Sequence, residues 1–268
     1  AGLPPVGEHP AARCGLETAL LDLEAKRAGL PLARLLNPRA ALRVPVNASL
    51  GTADVHLNAR AADALAAGYS VLKIKLGVFP YEQELARLRS LAALLPAGCR
   101  LRLDANRAWR QPECERWLAA LAQLPVESLE EPLAEPSLAR LTRLQASTPI
   151  PLALDESLPA FGLETILAAP PVRRLALKPM VQGGLLPCLS AVRKAPELEW
   201  VVTTTVDSAA GTWAASHLAA AIGSPLAQGL ATAEWLARDL GRPPFLRAGW
   251  LRLPERPGLG FLPSDGEK

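Results

Sequence analysis

The sequence has few of the side chains from which disulfide frameworks and transition-metal sites are usually built. Among its 268 residues are four cysteines and three histidines. The cysteines form no CxxC pair and lie in segments with the pattern of core or helix: Cys14, Cys99, Cys114 and Cys188. The histidines stand apart from every motif described below: His9, His56 and His217. We therefore expect reduced, structural thiols in a cytoplasmic protein, and histidines that serve packing or the surface.

Long apolar runs and clustered charge are also missing. The most apolar long stretch, Leu218–Ala237, is interrupted by Ser224, Gln228, Thr232 and Glu234, which argues against a membrane span. The amino terminus has no basic stretch followed by an apolar run, so no signal peptide is expected. Lysine and arginine (29) barely outnumber aspartate and glutamate (26) and are scattered along the chain. Nucleic acid is therefore not an expected partner.

A strand followed by an Ala/Leu-rich helix recurs from residue 44 onward. The predicted strands are Val44–Leu50, Val71–Gly77, Arg100–Asn106, Val126–Pro132, Pro151–Ser157, Arg174–Pro179 and Glu199–Thr205. The helical patterns between them include Tyr81–Leu95, Pro112–Leu124 and Ser208–Ile222. A weaker eighth unit consists of a strand near Ala227–Ala231 and a helix over Glu234–Asp239. Such alternation predicts an α/β fold with parallel strands and right-handed crossovers.

Charged side chains lie near the carboxyl ends of five of these strands. They are Lys73 and Lys75, Asp104, Glu130 and Glu131, Asp155 and Glu156, and Lys178. Because they recur at the same end of successive βα units, we expect them on one rim of a closed barrel. That rim carries the catalytic residues in (β/α)8 enzymes. A network of ion pairs that serves stability explains the pattern less well, since buried ion pairs stabilise weakly.

Three of these carboxylates come from consecutive strands and are expected to converge: Asp104, Glu130 and Asp155. Ligation by oxygen alone favours a hard cation, and a site with room for water and substrate suits Mg²⁺ better than Ca²⁺. A divalent ion would also keep three neighbouring carboxylates ionised. The pattern therefore predicts a magnesium site.

Two lysines occupy positions i and i+2 of one predicted strand, so Lys73 and Lys75 share a face and point into the barrel mouth. We expect them to lower each other's pKa, so that one can act as a base. Lys178 is expected to approach from across the barrel. A lysine base beside a metal-held carboxylate favours α-proton abstraction, which predicts a small-molecule carboxylate substrate.

The motifs that carry these residues resemble the muconate-lactonizing subgroup of the enolase superfamily. They are Lys-x-Lys at 73–75, Asp-Ala-Asn at 104–106, Glu-Glu-Pro at 130–132, Asp-Glu-Ser at 155–157 and Lys-Pro at 178–179. With the flanking residues Arg102 and Trp109, they are most similar to the o-succinylbenzoate synthases of menaquinone biosynthesis. The resemblance implies a TIM-like barrel of the (β/α)7β type with a remnant of an N-terminal α+β capping domain.

The resemblance also implies a role for each residue. The implied Mg²⁺ ligands are Asp104, Glu130 and Asp155. The implied catalytic lysines are Lys75 as the base, Lys178 as an opposing cation, and Lys73. Residues expected behind the ligands are Arg102, Glu131 and Glu156. The implied reaction is a Mg²⁺-dependent syn dehydration of 2-succinyl-6-hydroxy-2,4-cyclohexadiene-1-carboxylate through an enediolate, in which Lys75 removes the α-proton and returns it to the departing hydroxyl.

Weaker signals point to contacts with the substrate. Gly183 and Gly184 would let the backbone approach the succinyl arm, although a glycine pair before a helix is as often ordinary turn chemistry. Thr203, Thr204 and Thr205, at the end of the seventh predicted strand, would donate hydrogen bonds to its carboxylate, although threonine is also common in strands. Asn106 points the same way as Asp104 and is expected to support the site.

The domain boundaries follow from the same resemblance. Residues 1–43 are predicted to be residual C-terminal helices of the capping domain, residues 44–240 a modified barrel, and residues 241–268 a tail that would pack on the capping domain. The capping strands have no counterpart in residues 1–43. We therefore expect that the chain is a truncated version or lacks an N-terminal portion.

Two other functions stay open. An N-succinylamino-acid racemase or dipeptide epimerase of the same subgroup would use Lys75 and Lys178 as two bases on opposite faces of the substrate. Without its cap, the chain could also be an inactive barrel that binds only metal or a partner. Nothing in the sequence specifies an oligomeric state.

Overall fold

The computed structural model describes residues 9–264. The chain divides into two compact units. One unit comprises residues 47–176, and the other comprises the described residues up to 46 and from 177 onward. The latter begins with helix α1 (Pro10–Arg27), the short helix α2 (Leu32–Leu36) and strand β1 (Arg43–Pro45).

The unit of residues 47–176 is a series of strand-helix repeats. In chain order its elements are β2 (Ala48–Thr52), α3 (Leu57–Ala66), β3 (Val71–Lys75), α4 (Tyr81–Leu94), β4 (Arg100–Asp104), α5 (Gln111–Leu121), β5 (Val126–Glu130), α6 (Leu138–Ala146), β6 (Leu152–Leu154), α7 (Ser157–Phe161), α8 (Leu163–Ala168) and β7 (Arg174–Leu177). Strands β2 to β7 are hydrogen-bonded in chain order, and each pair is parallel. Parallel strands joined by helices are the predicted α/β arrangement.

The other unit continues from the end of β7. Its further elements are α9 (Pro179–Gln182), α10 (Leu185–Lys194), β8 (Glu199–Val202), α11 (Ala209–Ile222), a 3₁₀ turn (Ala233–Trp235), β9 (Leu246–Arg247) and β10 (Trp250–Arg252). Leu177, the last residue of β7, already belongs to this unit. Its carbonyl accepts a 2.9 Å hydrogen bond from the amide of Thr203, the residue after β8. Strands β1, β10 and β9 form a small antiparallel sheet.

Strand β3 shows how the sequence places charge on one face of the sheet. Leu72 and Ile74 are fully buried, and the alternate positions carry Lys73 and Lys75. The loop after β3 is held by the buried Glu84 carboxylate, which accepts hydrogen bonds from the amides of residues 77, 78 and 79. The strand that carries both lysines therefore ends in a fixed turn.

Two predictions of secondary structure are wrong. Residues 44–50 are not one strand, because β1 pairs antiparallel with β10 while β2 pairs parallel with β3. The predicted eighth unit is reduced to isolated bridges at Gln228 and Gly229 and a 3₁₀ turn. Its helix does not extend to residue 239, because the Asp239 carboxylate instead accepts hydrogen bonds from the Ala209 amide at the start of α11.

None of the helices within residues 9–264 is long and apolar enough to cross a membrane. All four cysteines lie within this range and are free thiols.

Candidate active site

The strand register places the predicted site residues side by side. Lys75 lies opposite Asp104 across β3 and β4, and Asp104 lies opposite Glu130 across β4 and β5. Glu130 lies opposite Ala153, two residues before Asp155. Side chains at paired positions of parallel strands point to the same face. These residues therefore share the carboxyl-terminal end of one sheet face, as predicted.

The ammonium group of Lys73 joins two of the predicted metal ligands. Its Nζ lies 2.8 Å from Asp104 Oδ2, and 2.9 and 2.8 Å from the two carboxylate oxygens of Glu130. Both carboxylates are buried, whereas Lys73 is partly exposed. The two carboxylates thus converge on a single positive charge.

Burial and proximity shift the pKa of all three groups. Burial and the charge of Glu130 raise the pKa of Asp104 to about 6, although Lys73 opposes this. Burial would raise the pKa of Glu130, but Lys73, Arg102 and a side-chain hydrogen bond with Asp155 hold it below its ordinary value. Burial disfavours the charge on Lys73, but Glu130 and Asp104 outweigh burial and hold its pKa above the ordinary value.

The expected lowering of pKa within the lysine pair is therefore wrong for Lys73. Its nearest charges are carboxylates rather than the second lysine, so its ammonium form is favoured. Lys75 is exposed at the end of β3. The structure distinguishes the two lysines by their surroundings, one in an ion-pair cluster and the other open to solvent.

Glu131 fixes the backbone that carries Asp155. One of its oxygens accepts hydrogen bonds from the amides of Asp155 (2.7 Å) and Ser157 (2.8 Å), and the other accepts one from the Ser157 hydroxyl (2.6 Å). Its backbone adopts the left-handed region, with φ of 44°. This turn follows directly after β5, so Glu130 and Glu131 serve different partners although they are adjacent in sequence.

Asn106 and Glu156 form a second link between strand ends. The Asn106 amide donates to Asp104 Oδ1 at 3.0 Å, and its side chain donates to Glu156 Oε1 at 2.7 Å. Asn106 also has a positive φ, of 42°, which asparagine tolerates better than most residues. Asn106 therefore restrains the Asp104 carboxylate.

A buried charge cluster was not predicted. Glu127 lies 3.0 Å from the Arg102 guanidinium and 3.3 Å from that of Arg174. Arg102 also donates to Asn47, and Arg174 donates to Ser128. Arg102, expected behind the metal ligands, thus has Glu127 as its ion-pair partner. The available signal was a charged residue near the amino end of each strand, since Glu127 is the second residue of β5 and Arg174 is the first residue of β7.

The remaining predicted residues lie in the other unit. Lys178 directly follows β7 and precedes α9. The Thr203 and Thr204 hydroxyl groups form hydrogen bonds with the Gly229 carbonyl and the Thr232 hydroxyl, respectively. Thr205, by contrast, lines a cavity of about 640 Å³. Gly183 and Gly184 form the turn between α9 and α10, with positive φ angles of 79° and 140°.

The carboxylates suit a hard divalent cation. Within residues 9–264 no three His, Cys, Asp or Glu side chains are arranged to hold a metal ion as they stand. Asp104 and Glu130 nevertheless already converge on one cation, the Lys73 ammonium. Asp155 reaches Glu130 through a hydrogen bond. Because carboxylate oxygens are the ligands that Mg²⁺ prefers, the chemistry of this donor set fits the predicted metal.

A family model described as enolase C-terminal domain-like matches residues 56–266. The chain belongs to this family. The predicted membership of the enolase superfamily and its muconate-lactonizing subgroup is confirmed by this match together with relatives of that subgroup. Relatives of this chain include a cycloisomerase, an epimerase and an o-succinylbenzoate synthase, all of which are enzymes.

Three members of the family show how far the similarity extends. The L-Lys-D/L-Arg epimerase of Methylococcus capsulatus is 33% identical over 96% of this chain and 73% of its own length. The o-succinylbenzoate synthase of Desulfotalea psychrophila is 29% identical over 87% of this chain and 65% of its own length. The crystal structure of muconate cycloisomerase from Pseudomonas fluorescens superposes with a TM-score of 0.86 at 27% identity, covering 94% of this chain and 72% of that one. The predicted TIM-like barrel class is thereby confirmed.

Proposed function

We propose that this chain is a Mg²⁺-dependent hydro-lyase of the o-succinylbenzoate synthase type, which acts in menaquinone biosynthesis in the cytoplasm. The observation that carries the proposal is the convergence of the Asp104 and Glu130 carboxylates on the ammonium group of Lys73, which lies on the same strand as Lys75. This arrangement suits a carboxylate substrate that loses an α-proton. The motifs around residues 102–109 and the similarity to an o-succinylbenzoate synthase support dehydration as the outcome.

Lys75 supplies the proton transfers in this proposal. Its neutral amine takes the α-proton of 2-succinyl-6-hydroxy-2,4-cyclohexadiene-1-carboxylate, and its ammonium form then protonates the departing hydroxyl. The ring loses one hydrogen and one hydroxyl as water and gains the third double bond of an aromatic product. Because aromaticity favours the product, the enzyme has mainly to lower the barrier to proton removal.

Asp104, Glu130 and Asp155 are the residues proposed to hold Mg²⁺. The bound ion would neutralise negative charge that develops on the substrate carboxylate. Lys73 compensates the charge of Asp104 and Glu130. Lys178 is proposed to stabilise the substrate ring as a cation.

Epimerisation is the second candidate, and the 33% identity to an L-Lys-D/L-Arg epimerase favours it. In this case one of the two lysines, Lys75 or Lys178, would remove the α-proton from one face, and the other would donate a proton to the opposite face of the same carbon. The substrates would then be N-succinyl amino acids or dipeptides. The two candidates differ in what happens after the first proton transfer.

The deciding experiment compares both reactions in one preparation. Formation of the aromatic product is followed by ultraviolet absorbance with Mg²⁺ and with a chelator. Exchange of the α-proton of N-succinyl amino acids and dipeptides is followed in D₂O by NMR. We expect Mg²⁺-dependent dehydration that falls at least about 100-fold in Lys75→Ala. Lys194→Ala, at the exposed end of α10, is the matched control and should keep full activity.

The epimerase and the inactive barrel each predict a different outcome of this experiment. Efficient α-proton exchange that is lost in both Lys75→Ala and Lys178→Ala, without dehydration, would establish the epimerase instead. A folded chain that binds Mg²⁺ and catalyses neither reaction would leave the third possibility, a barrel without activity.

A further inference from the structure

Helix α1 turns two charged side chains toward the start of α10. Arg13 and Glu17 lie one helical turn apart, and their charged groups approach to 3.7 Å. The side chain of Glu17 is only 2% exposed. A carboxylate is rarely so buried unless it has a specific partner. The catalytic proposal above gives neither residue a role.

Glu17 provides the missing cap of α10. One of its oxygens accepts hydrogen bonds from the backbone amides of Leu185 and Leu186, the second at 3.1 Å. The residue that precedes this helix is Gly184, which has no side chain to cap it. Negative charge is favoured at a helix amino terminus, where the first amides lack partners within the helix.

The glycine pair fits the same contact. The Arg13 guanidinium donates a hydrogen bond to the Gly183 carbonyl. At Gly184 a Cβ atom would overlap the Glu17 carboxylate, and φ is 140°. Glycine is therefore required at position 184 by its approach to α1 as well as by its backbone conformation.

The anchored turn continues back to Lys178. The Lys178 carbonyl accepts hydrogen bonds from the amides of Val181 and Gln182, both at 2.9 Å, and the Pro179 carbonyl accepts one from the Gly184 amide at 2.9 Å. The intervening helix α9 has only four residues, too few to be stable alone. The conformation of this segment therefore depends on what holds its far end.

We infer that Glu17 is a positioning residue for Lys178. By capping α10, its carboxylate fixes the end of the 179–186 segment, which sets the backbone from which the Lys178 side chain projects. The chemical role of Lys178 rests on the proposed function. The coupling of α1 to the segment rests only on the contacts above.

Hydrogen exchange tests the coupling without reference to activity. In Glu17→Ala we expect the amides of residues 181, 182 and 184–186 to exchange at least about 10-fold faster, because their protection reports local opening. Glu17→Gln keeps an oxygen acceptor and should show a smaller increase. Glu24→Ala removes an exposed glutamate of the same helix that pairs with Arg27 and should show none. Faster exchange confined to residues 185 and 186 would overturn the inference.

A double-mutant cycle tests the consequence for catalysis. We expect Glu17→Ala to lower kcat about 10-fold with little change in KM, Glu17→Gln to recover part of the loss, and Glu17→Ala to cause no further loss in a Lys178→Ala background. An equal loss in both backgrounds would show that Glu17 acts independently of Lys178. If Lys178→Ala itself retains full turnover, the proposed role of Lys178 fails, and the exchange result still decides whether α1 holds the segment.

Discussion

Both carboxylate oxygens of Glu130 lie within hydrogen-bonding distance of the Lys73 ammonium nitrogen, at 2.9 and 2.8 Å. Glu130 is buried at the end of β5, and Lys73 reaches it from β3 while also contacting Asp104 on the strand between them. Lys73 thus supplies positive charge at the point where a divalent cation is proposed to bind. The positive charge of Lys73 also explains why the neighbouring carboxylates of Asp104 and Glu130 can both be buried without a bound metal ion.

Replacement of Lys73 should lower the stability of the protein. In metal-free Lys73→Met, Asp104 and Glu130 lose their shared cation, and we expect the free energy of unfolding to fall by about 3 kcal/mol at pH 8. The loss should be smaller at pH 5. The pKa of Asp104 is already raised from 3.8 to about 6. Between these two values Asp104 is more protonated in the folded state than in the unfolded state, so removal of Lys73 leaves less uncompensated negative charge at pH 5 than at pH 8. Urea unfolding at the two pH values measures the difference.

The control for this variant is Lys26→Met, which removes an exposed lysine paired with Asp22 on α1. A surface pair of this kind contributes less than about 1 kcal/mol. Equal losses for the two variants, or a Lys73→Met loss that does not change with pH, would contradict the importance of the Lys73 cluster.

Glu131 should control Asp155 through the backbone. Glu131→Ala removes the acceptor of two buried amides and of the Ser157 hydroxyl, which should cost about 2–3 kcal/mol. The freed turn should also weaken Mg²⁺ binding about 10- to 100-fold, as for other residues that orient metal ligands. Calorimetric titration with Mg²⁺ and denaturant unfolding measure the two effects.

Ser157→Ala is the matched variant, because it removes only the hydroxyl bond and leaves both amides paired with Glu131. It should cost about 1 kcal/mol and change Mg²⁺ affinity little. If Glu131→Ala binds Mg²⁺ as tightly as the unmodified protein, the turn does not need Glu131 to present Asp155.

The neighbourhood of Asp104 and Glu130 was predictable because strand geometry is regular. Side chains alternate with a period of two, and successive parallel strands stay nearly in register, so charges near the ends of consecutive strands must meet. The same reasoning could not predict that Lys73 would bridge them, since this depends on where a long side chain ends. It also treated residues 44–50 as one strand, because the partner that divides them, β10, lies about 200 residues away in sequence.

The contacts made by α1 show a second limit of sequence reasoning. Glu17 and the amide of Leu185 are separated by 168 residues. Helix α1 buries Glu17 while Leu16 and Leu20 are exposed, so its hydrophobic pattern does not indicate which face is buried. The sequence drew attention to Gly184, but a glycine there is equally consistent with substrate contact and with an ordinary turn. Only the close approach of Glu17 on α1 shows why glycine is needed at this position. Long-range pairs between side chain and backbone leave little trace in a single sequence.

A third prediction concerns the cluster of Glu127 with the buried side chains of Arg102 and Arg174. In Glu127→Gln, Arg102 and Arg174 lose the carboxylate that lies between them, and we expect a loss of about 3–5 kcal/mol in the free energy of unfolding. The comparison variant is Glu82→Gln, whose partner Arg116 is exposed, with an expected loss below about 1 kcal/mol. Similar denaturation midpoints for the two variants would show that the cluster is not a stabilising element.

His217 should make stability fall as the pH falls. Its ring is fully buried, with Nδ1 accepting from the Ala33 amide and Nε2 donating to the Leu259 carbonyl, both at 2.9 Å. Burial lowers the pKa of His217 to about 4, from 6.5. Between these values the unfolded chain binds a proton that the folded state does not, so the free energy of unfolding should decrease by up to about 3 kcal/mol from pH 6.5 to pH 4.

Of the two histidines compared, only His217 should affect how steeply the free energy of unfolding falls between pH 6.5 and 4. His217→Gln should be less stable at pH 7, because it disturbs two buried hydrogen bonds, but its stability should fall less steeply between pH 6.5 and 4. His56→Gln, at an exposed position before α3, should keep the slope of the unmodified protein. Chemical denaturation at half-unit pH intervals measures all three curves. Parallel curves for His217→Gln and the unmodified protein would mean that the ring takes up its proton without unfolding.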